Sequence, residues 1–111
     1  MQQINKPNPD IRFRKDGLIE IRKRGVDKMR LFSCPNLSFF INEDNDLYAK
    51  PDENGIKPFD NKKSFWRYRS KDVCRKVLSL PDIPIGTQRA SFRIGEEENG
   101  YYPIITRIIL N

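Results

Sequence analysis

The sequence predicts an α+β fold of short antiparallel β-hairpins with two short helices, in the order ββαββ-loop-βαββ. Three observations predict it. Short runs at residues 11–14, 18–21, 37–41, 47–49, 65–69, 90–95 and 101–109 alternate apolar with polar residues, or are rich in β-branched and aromatic ones. Turn-forming residues join most of these runs into pairs. Apolar residues at helical spacing occur in residues 71–80 and, more briefly, in the basic segment after residue 21.

In chain order, residues 1–10 are polar, carry Pro7 and Pro9, and read as a flexible arm. Ile11 and Phe13 alternate with Arg12 and Arg14, and residues 18–21 return as the partner strand. Asp16-Gly17 between them predicts a type I′ turn, which needs positive φ at both central residues. If Ile11, Phe13, Ile19 and Ile21 face inward, Arg12, Arg14 and Glu20 face out. Val26, Met29 and Leu31 are the apolar positions of one or two helical turns, which Gly25 weakens. Pro35 stops helix continuation. Residues 37–41 and 47–49 form a hairpin around Glu43-Asp44-Asn45-Asp46, a turn that mimics half a calcium loop without its glycine and closing glutamate.

Residues 51–63, with two prolines and a glycine among charges, form the one candidate boundary, a loop long enough to be mobile. The chain then divides into the arm 1–10, a basic hairpin half 11–50, this loop, and a βαββ half 64–111; the alternative is one domain over 11–111. In the second half, Ser70 is placed to cap a helix over 71–80 whose apolar face holds Val73, Cys74, Val77 and Leu78. Pro81 ends it, and residues 82–88 form a loop. Asn99-Gly100 is the pivot between the last two strands, and Pro103 belongs at a strand start or edge.

Composition narrows the function. At 111 residues and 37% apolar content, below the usual ~45–50%, the chain can bury a modest core under an ionic surface that is 32% charged residues. The net charge of +6, from 21 Lys and Arg against 15 Asp and Glu, favours polyanion partners. There is no histidine, and Cys34 and Cys74 lack metal-ligand spacing, so a zinc site would need carboxylates or a second chain. The two thiols could bridge, but free thiols in a reducing cytoplasm are the simpler reading. The first residues lack the apolar core of an export signal, and the longest apolar run is too short to span a bilayer and is broken by Arg107. No phosphate loop, dinucleotide fingerprint or nucleophile elbow appears, and the acidic residues cluster in turns. The expectation is a non-enzyme with no metal, cofactor, membrane or small-molecule ligand.

Two basic stretches remain as candidates. In the first hairpin, Arg and Lys on one exposed face could neutralise phosphates, or could pair with Asp10, Asp16, Glu20 and Asp27 as an ordinary solvated face. In Phe65-Trp66-Arg67-Tyr68-Arg69, aromatics interleaved with arginine suit base stacking. Period-2 geometry instead puts Trp66 and Tyr68 together in the core and leaves Arg67 and Arg69 as outward phosphate contacts.

Residues 17–31, Gly-Leu-Ile-Glu-Ile-Arg-Lys-Arg-Gly-Val-Asp-Lys-Met-Arg-Leu, follow a further pattern. Gly17, Ile19, Ile21, Met29 and Leu31 fall where the AbrB-like, swapped-hairpin transcription regulators carry them, and the chain resembles that family over about residues 11–50. Arg22 stands at the family's usual proline, Gly25 at an aliphatic position, and Cys34-Pro35 replaces a Gly-Asp turn. The resemblance implies a homodimer of exchanged hairpins that grips double-stranded DNA through Arg12, Arg14, Lys15, Arg22, Lys23 and Arg24. The function expected is a small DNA-binding transcriptional regulator. The alternative is an interaction or structural module, of a phage or mobile-element type, that pairs through sheet edges and uses residues 101–109 as an edge strand.

Overall fold

The computed structural model describes residues 8–62 and 64–110, and its elements follow the expected order. They are β1 (Ile11–Arg14), β2 (Leu18–Ile21), α1 (Lys23–Lys28), β3 (Leu37–Ile41), β4 (Leu47–Pro51), β5 (Trp66–Arg69), α2 (Lys71–Leu78), β6 (Arg89–Ile94) and β7 (Tyr102–Leu110). Most of the expected arm, residues 1–7, lies outside the described residues. Asp10 belongs to the fold: it is fully buried, its N–H donates to Phe92 O at 2.9 Å, and its carbonyl accepts from Arg22 N–H at 2.9 Å.

All seven strands join one antiparallel sheet in the order β3-β4-β7-β6-β1-β2-β5. Strands from before and after residues 51–63 therefore alternate across it. Ile11 pairs with Ile21 and Phe92, and Ile19 with Phe13 and Tyr68, so the apolar set of each strand falls on one face, as the alternation predicts. The same register turns Arg12, Glu20 and Arg67 to the other face. Phe13 of β1 meets Phe39 of β3 edge-on, with ring centroids 5.7 Å apart, although three strands separate β1 from β3. The sheet thus curls around its core of Phe13, Ile19, Tyr68, Phe92 and their neighbours. Residues 56–60 fasten the curl. Ile56 exchanges two backbone hydrogen bonds with Leu37 on one edge strand, and Phe59 and Asp60 bond Arg67 on the other. Both edges are thereby partly covered.

The helices sit at opposite ends. At the α1 end, a Cβ on buried Gly25 would lie 2.8 Å from Ile21 Cγ2 and 2.9 Å from the Asp10 carbonyl oxygen, so close approach explains a glycine inside a helix. At the other end, Ser70 N–H donates to Gly17 O at 2.8 Å, and its hydroxyl accepts from Val73 N–H, capping α2. The helix stops at Leu78, short of the expected Leu80; Leu80 and Ile83 turn into the core instead.

Two turn expectations part company. Asn99 and Gly100 have φ of 54° and 88°, and Glu98 and Tyr101 exchange both hydrogen bonds, as a type I′ pivot requires. At Asp16-Gly17 only Gly17 is positive, at 100°, and its N–H donates to Arg14 O. This is a type I turn with the glycine following it, which adds Lys15 to the loop and pushes it outward. The acidic stretch 43–46 is a hairpin turn in which Asn42 Oδ1 accepts from the Asp44 and Asp46 N–H groups. Strand β7 is not the edge strand expected: it lies between β4 and β6, because its first residues pair with β4, its later ones with β6, and Ile104 with both. Tyr102 and Pro103 have strand partners in β4 alone, and from Ile105 onward the partners are in β6 alone. Pro103 fits because its carbonyl accepts from Gly95, so its missing N–H faces the side where β6 has already ended.

Candidate nucleic-acid interface

The eight cations singled out from sequence fall into three places. Arg12 and Arg67 lie on the outer sheet face, on either side of half-buried Glu20. Arg12 sits 4.0 Å from Glu20 Oε1 and donates to Ser91 Oγ at 2.9 Å. Arg67 sits 3.4 Å from Glu20 Oε2 and 3.0 Å from Asp60 Oδ2. Cross-strand pairing of β2 with β5 makes this strip, and its charge is largely spent internally.

Arg22, Lys23 and Arg24 lie at the α1 end. The Arg22 guanidinium stacks over Phe65, 4.9 Å from the ring centroid. Lys23 reaches Asp27 one helical turn on, at 3.0 Å. Arg24 Nε is 3.0 Å from Oδ1 of buried Asp10, off the hydrogen-bonding line, while Oδ2 accepts from Ile94 N–H at 2.9 Å. A carboxylate taken out of water needs such a partner, so Arg24 serves the fold.

Arg14, Lys15 and Arg69 gather at the opposite end, where the structure brings further cations from α2 and β6 beside them. A cleft of about 640 Å³ is lined by Lys15, Arg69, Lys71 and Arg75 on one wall and by Gly86 and Thr87 on the other. Its one lining carboxylate, Asp16, is held at 2.8 Å by Arg14. Lys71, Arg75, Leu78 and Ser79 follow the spacing of one helical stripe, and Gly17 packs against the Lys71 backbone, which brings that stripe beside the hairpin turn. A second hollow, about 430 Å³, continues past Arg14 and Lys15 to Arg89. There Arg14 and Arg89 stand directly opposite on neighbouring strands, a like-charge pairing that costs energy unless an anion sits near. Among the described residues, no carboxylate lies within ion-pair distance of Lys15, Arg69, Lys71, Arg75 or Arg89. Arg69 is braced by its stacking over Phe59, at 5.2 Å.

Other chemistry is sparse among the described residues. No group of three or more Cys, Asp or Glu side chains is placed to hold a metal ion. Cys34 and Cys74 are unbridged, and burial against Leu18 pushes the Cys74 thiol up to about 11. Desolvation likewise raises Tyr68, whose hydroxyl donates to Pro35 O at 2.6 Å. Both groups stay protonated at neutral pH. Among the described residues, no helix is long and apolar enough to cross a membrane. No protein-family model, curated protein or solved structure matches the chain.

Proposed function

We propose that this chain binds duplex DNA by its phosphate backbone, in the cationic cleft between the first hairpin turn and α2. The observation that carries the reading is the convergence of Lys15, Arg69, Lys71 and Arg75 on one concavity whose single carboxylate is already paired. Concave walls of one sign focus the field and raise the local concentration of an anionic partner. The positive end of α2 adds to the same field. The resemblance over residues 11–50 assigns Arg14 and Lys15 to a DNA surface as well, and extends the reading to transcription regulation.

The test is binding of a short fluorescent duplex by the natural chain and by a variant carrying Lys15→Ala, Lys71→Ala and Arg75→Ala. All three side chains are exposed, so the fold should survive. Losing three phosphate contacts should weaken binding about 10²-fold near physiological salt. Lys23→Ala, at the far end, should change nothing. Equal loss in both variants, or no binding by the natural chain, would overturn the reading.

A different observation favours a second reading. From Ile105 to Leu110, β7 keeps one edge without a partner strand among the described residues, and carries exposed Ile105 and Ile108. Such an edge suits strand addition, and antiparallel pairing with a second copy would be self-complementary. Sedimentation that finds a dimer in the natural chain and a monomer in Ile108→Lys supports it; a monomer in both refutes it.

A further inference from the structure

The loop that forms the far wall of the cleft carries Ile85, the most exposed large apolar side chain among the described residues. The same loop buries Leu80 and Ile83, so its exposed isoleucine does not reflect a shortage of core. The backbone holds it there. Ile83 N–H donates to Leu80 O at 3.0 Å, anchoring the loop. Thr87 N–H donates to Pro84 O at 3.2 Å and the Thr87 hydroxyl to the same oxygen at 2.6 Å, while Gly86 takes a φ of +88°. That is a type II turn with Ile85 at its first corner. Gln88 Nε2 closes on Gly86 O at 3.2 Å. A stiff turn thus presents one branched apolar side chain on the rim of a cleft lined by cations.

From this juxtaposition we infer that Ile85 is a wedge: it inserts between neighbouring base pairs of the duplex held in the cleft, unstacks that step and bends the DNA. The inference rests on the duplex-binding reading. Apolar side chains placed beside phosphate-neutralising cations act this way when the bend they open is stabilised by contacts to the flanking backbone. Lys15, Lys71 and Arg75 of the cleft and Arg89 of the adjoining hollow supply those contacts. Steps that unstack easily, a single mismatch above all, should be the preferred sites.

The test compares the natural chain with Ile85→Ala and Ile85→Leu on two duplexes that differ by one mismatch. Each duplex carries 2-aminopurine at the central step and a donor–acceptor pair at its ends. The natural chain should bind the mismatched duplex several-fold more tightly, brighten the 2-aminopurine and shorten the end-to-end distance. Ile85→Leu should keep all three effects. Ile85→Ala should lose them and weaken binding several-fold, with the same salt slope as the natural chain, because an inserted methyl releases no counterions. If the natural chain binds without brightening or bending, or Ile85→Ala bends DNA as well as the natural chain does, the wedge is refuted and cleft binding stands. If the natural chain binds neither duplex, cleft binding falls and the wedge with it. Ile85 makes no contact the fold depends on, so neither substitution should impair folding.

Discussion

Cys74 lies under the α2 face that packs on the first hairpin, and its raised ionisation has a consequence for stability. The folded thiol ionises near 11 and an unfolded one near the ordinary thiol value of 9.0. The folded state therefore holds its proton more tightly, and that stabilisation is whole below the unfolded value and is lost as pH rises through the folded one. Between pH 9 and 11 the unfolding free energy of the natural chain, read from urea titrations, should fall by an amount on the order of 2 kcal/mol. Cys74→Ala should be less stable throughout, yet lose less over that window; an unchanged slope would show that other groups carry it. Gly25 is the second sensitive residue. A methyl group there meets Ile21 and a carbonyl oxygen already engaged by Arg22 N–H. Gly25→Ala should therefore cost about 1–3 kcal/mol by overpacking, against a helix-propensity gain of at most about 1 kcal/mol. A raised melting temperature in that variant would contradict the packing assigned to α1.

Element by element, what local chemistry dictates was legible and what pairing dictates was not. The strands were readable because each buries one face, so period-2 alternation had to appear in Ile11–Arg14, Trp66–Arg69 and Arg89–Ile94. The Ser70 cap was readable because a hydroxyl just before an amphipathic run satisfies an otherwise orphaned N–H. Ser70→Ala should cost about 1 kcal/mol, seen as a lower thermal midpoint, and Ser70→Asn should restore most of it. Partner choice was hidden. Glu20 and Arg67 are 47 positions apart and meet only because β2 pairs with β5. The same long-range pairing put β7 between two strands, where Pro103 had suggested a strand start or an edge. At the first hairpin, Asp16-Gly17 fixed where the chain turns but not whether two or three residues make the loop, and the extra residue is Lys15.

The whole molecule distributes its net charge of +6 unevenly. At the α1 end and across the outer sheet face, arginines pair with Asp10, Glu20 and Asp60 or stack on aromatic rings. At the α2 end, cations from the hairpin turn, β5, α2 and β6 converge without matching acids. Half of that cluster was visible in sequence as Arg14, Lys15 and Arg69. Lys71 and Arg75 lie on the polar side of the helix, which sequence alone does not distinguish from any solvated helix face. The available signal was their spacing of four residues, which sets both on one helical stripe. What no local reading could supply is that Gly17 packs on Lys71 and so sets the two groups side by side.

The most direct measurement is the amide spectrum of the isotope-labelled chain during titration with a short duplex at low salt. The account predicts that the largest shift changes fall on Lys15, Gly17, Lys71, Arg75, Gly86, Thr87 and Arg89, that they recede together as salt is added, and that residues 22–28 hold still. Changes centred on residues 22–28, or spread evenly over the surface, would contradict it.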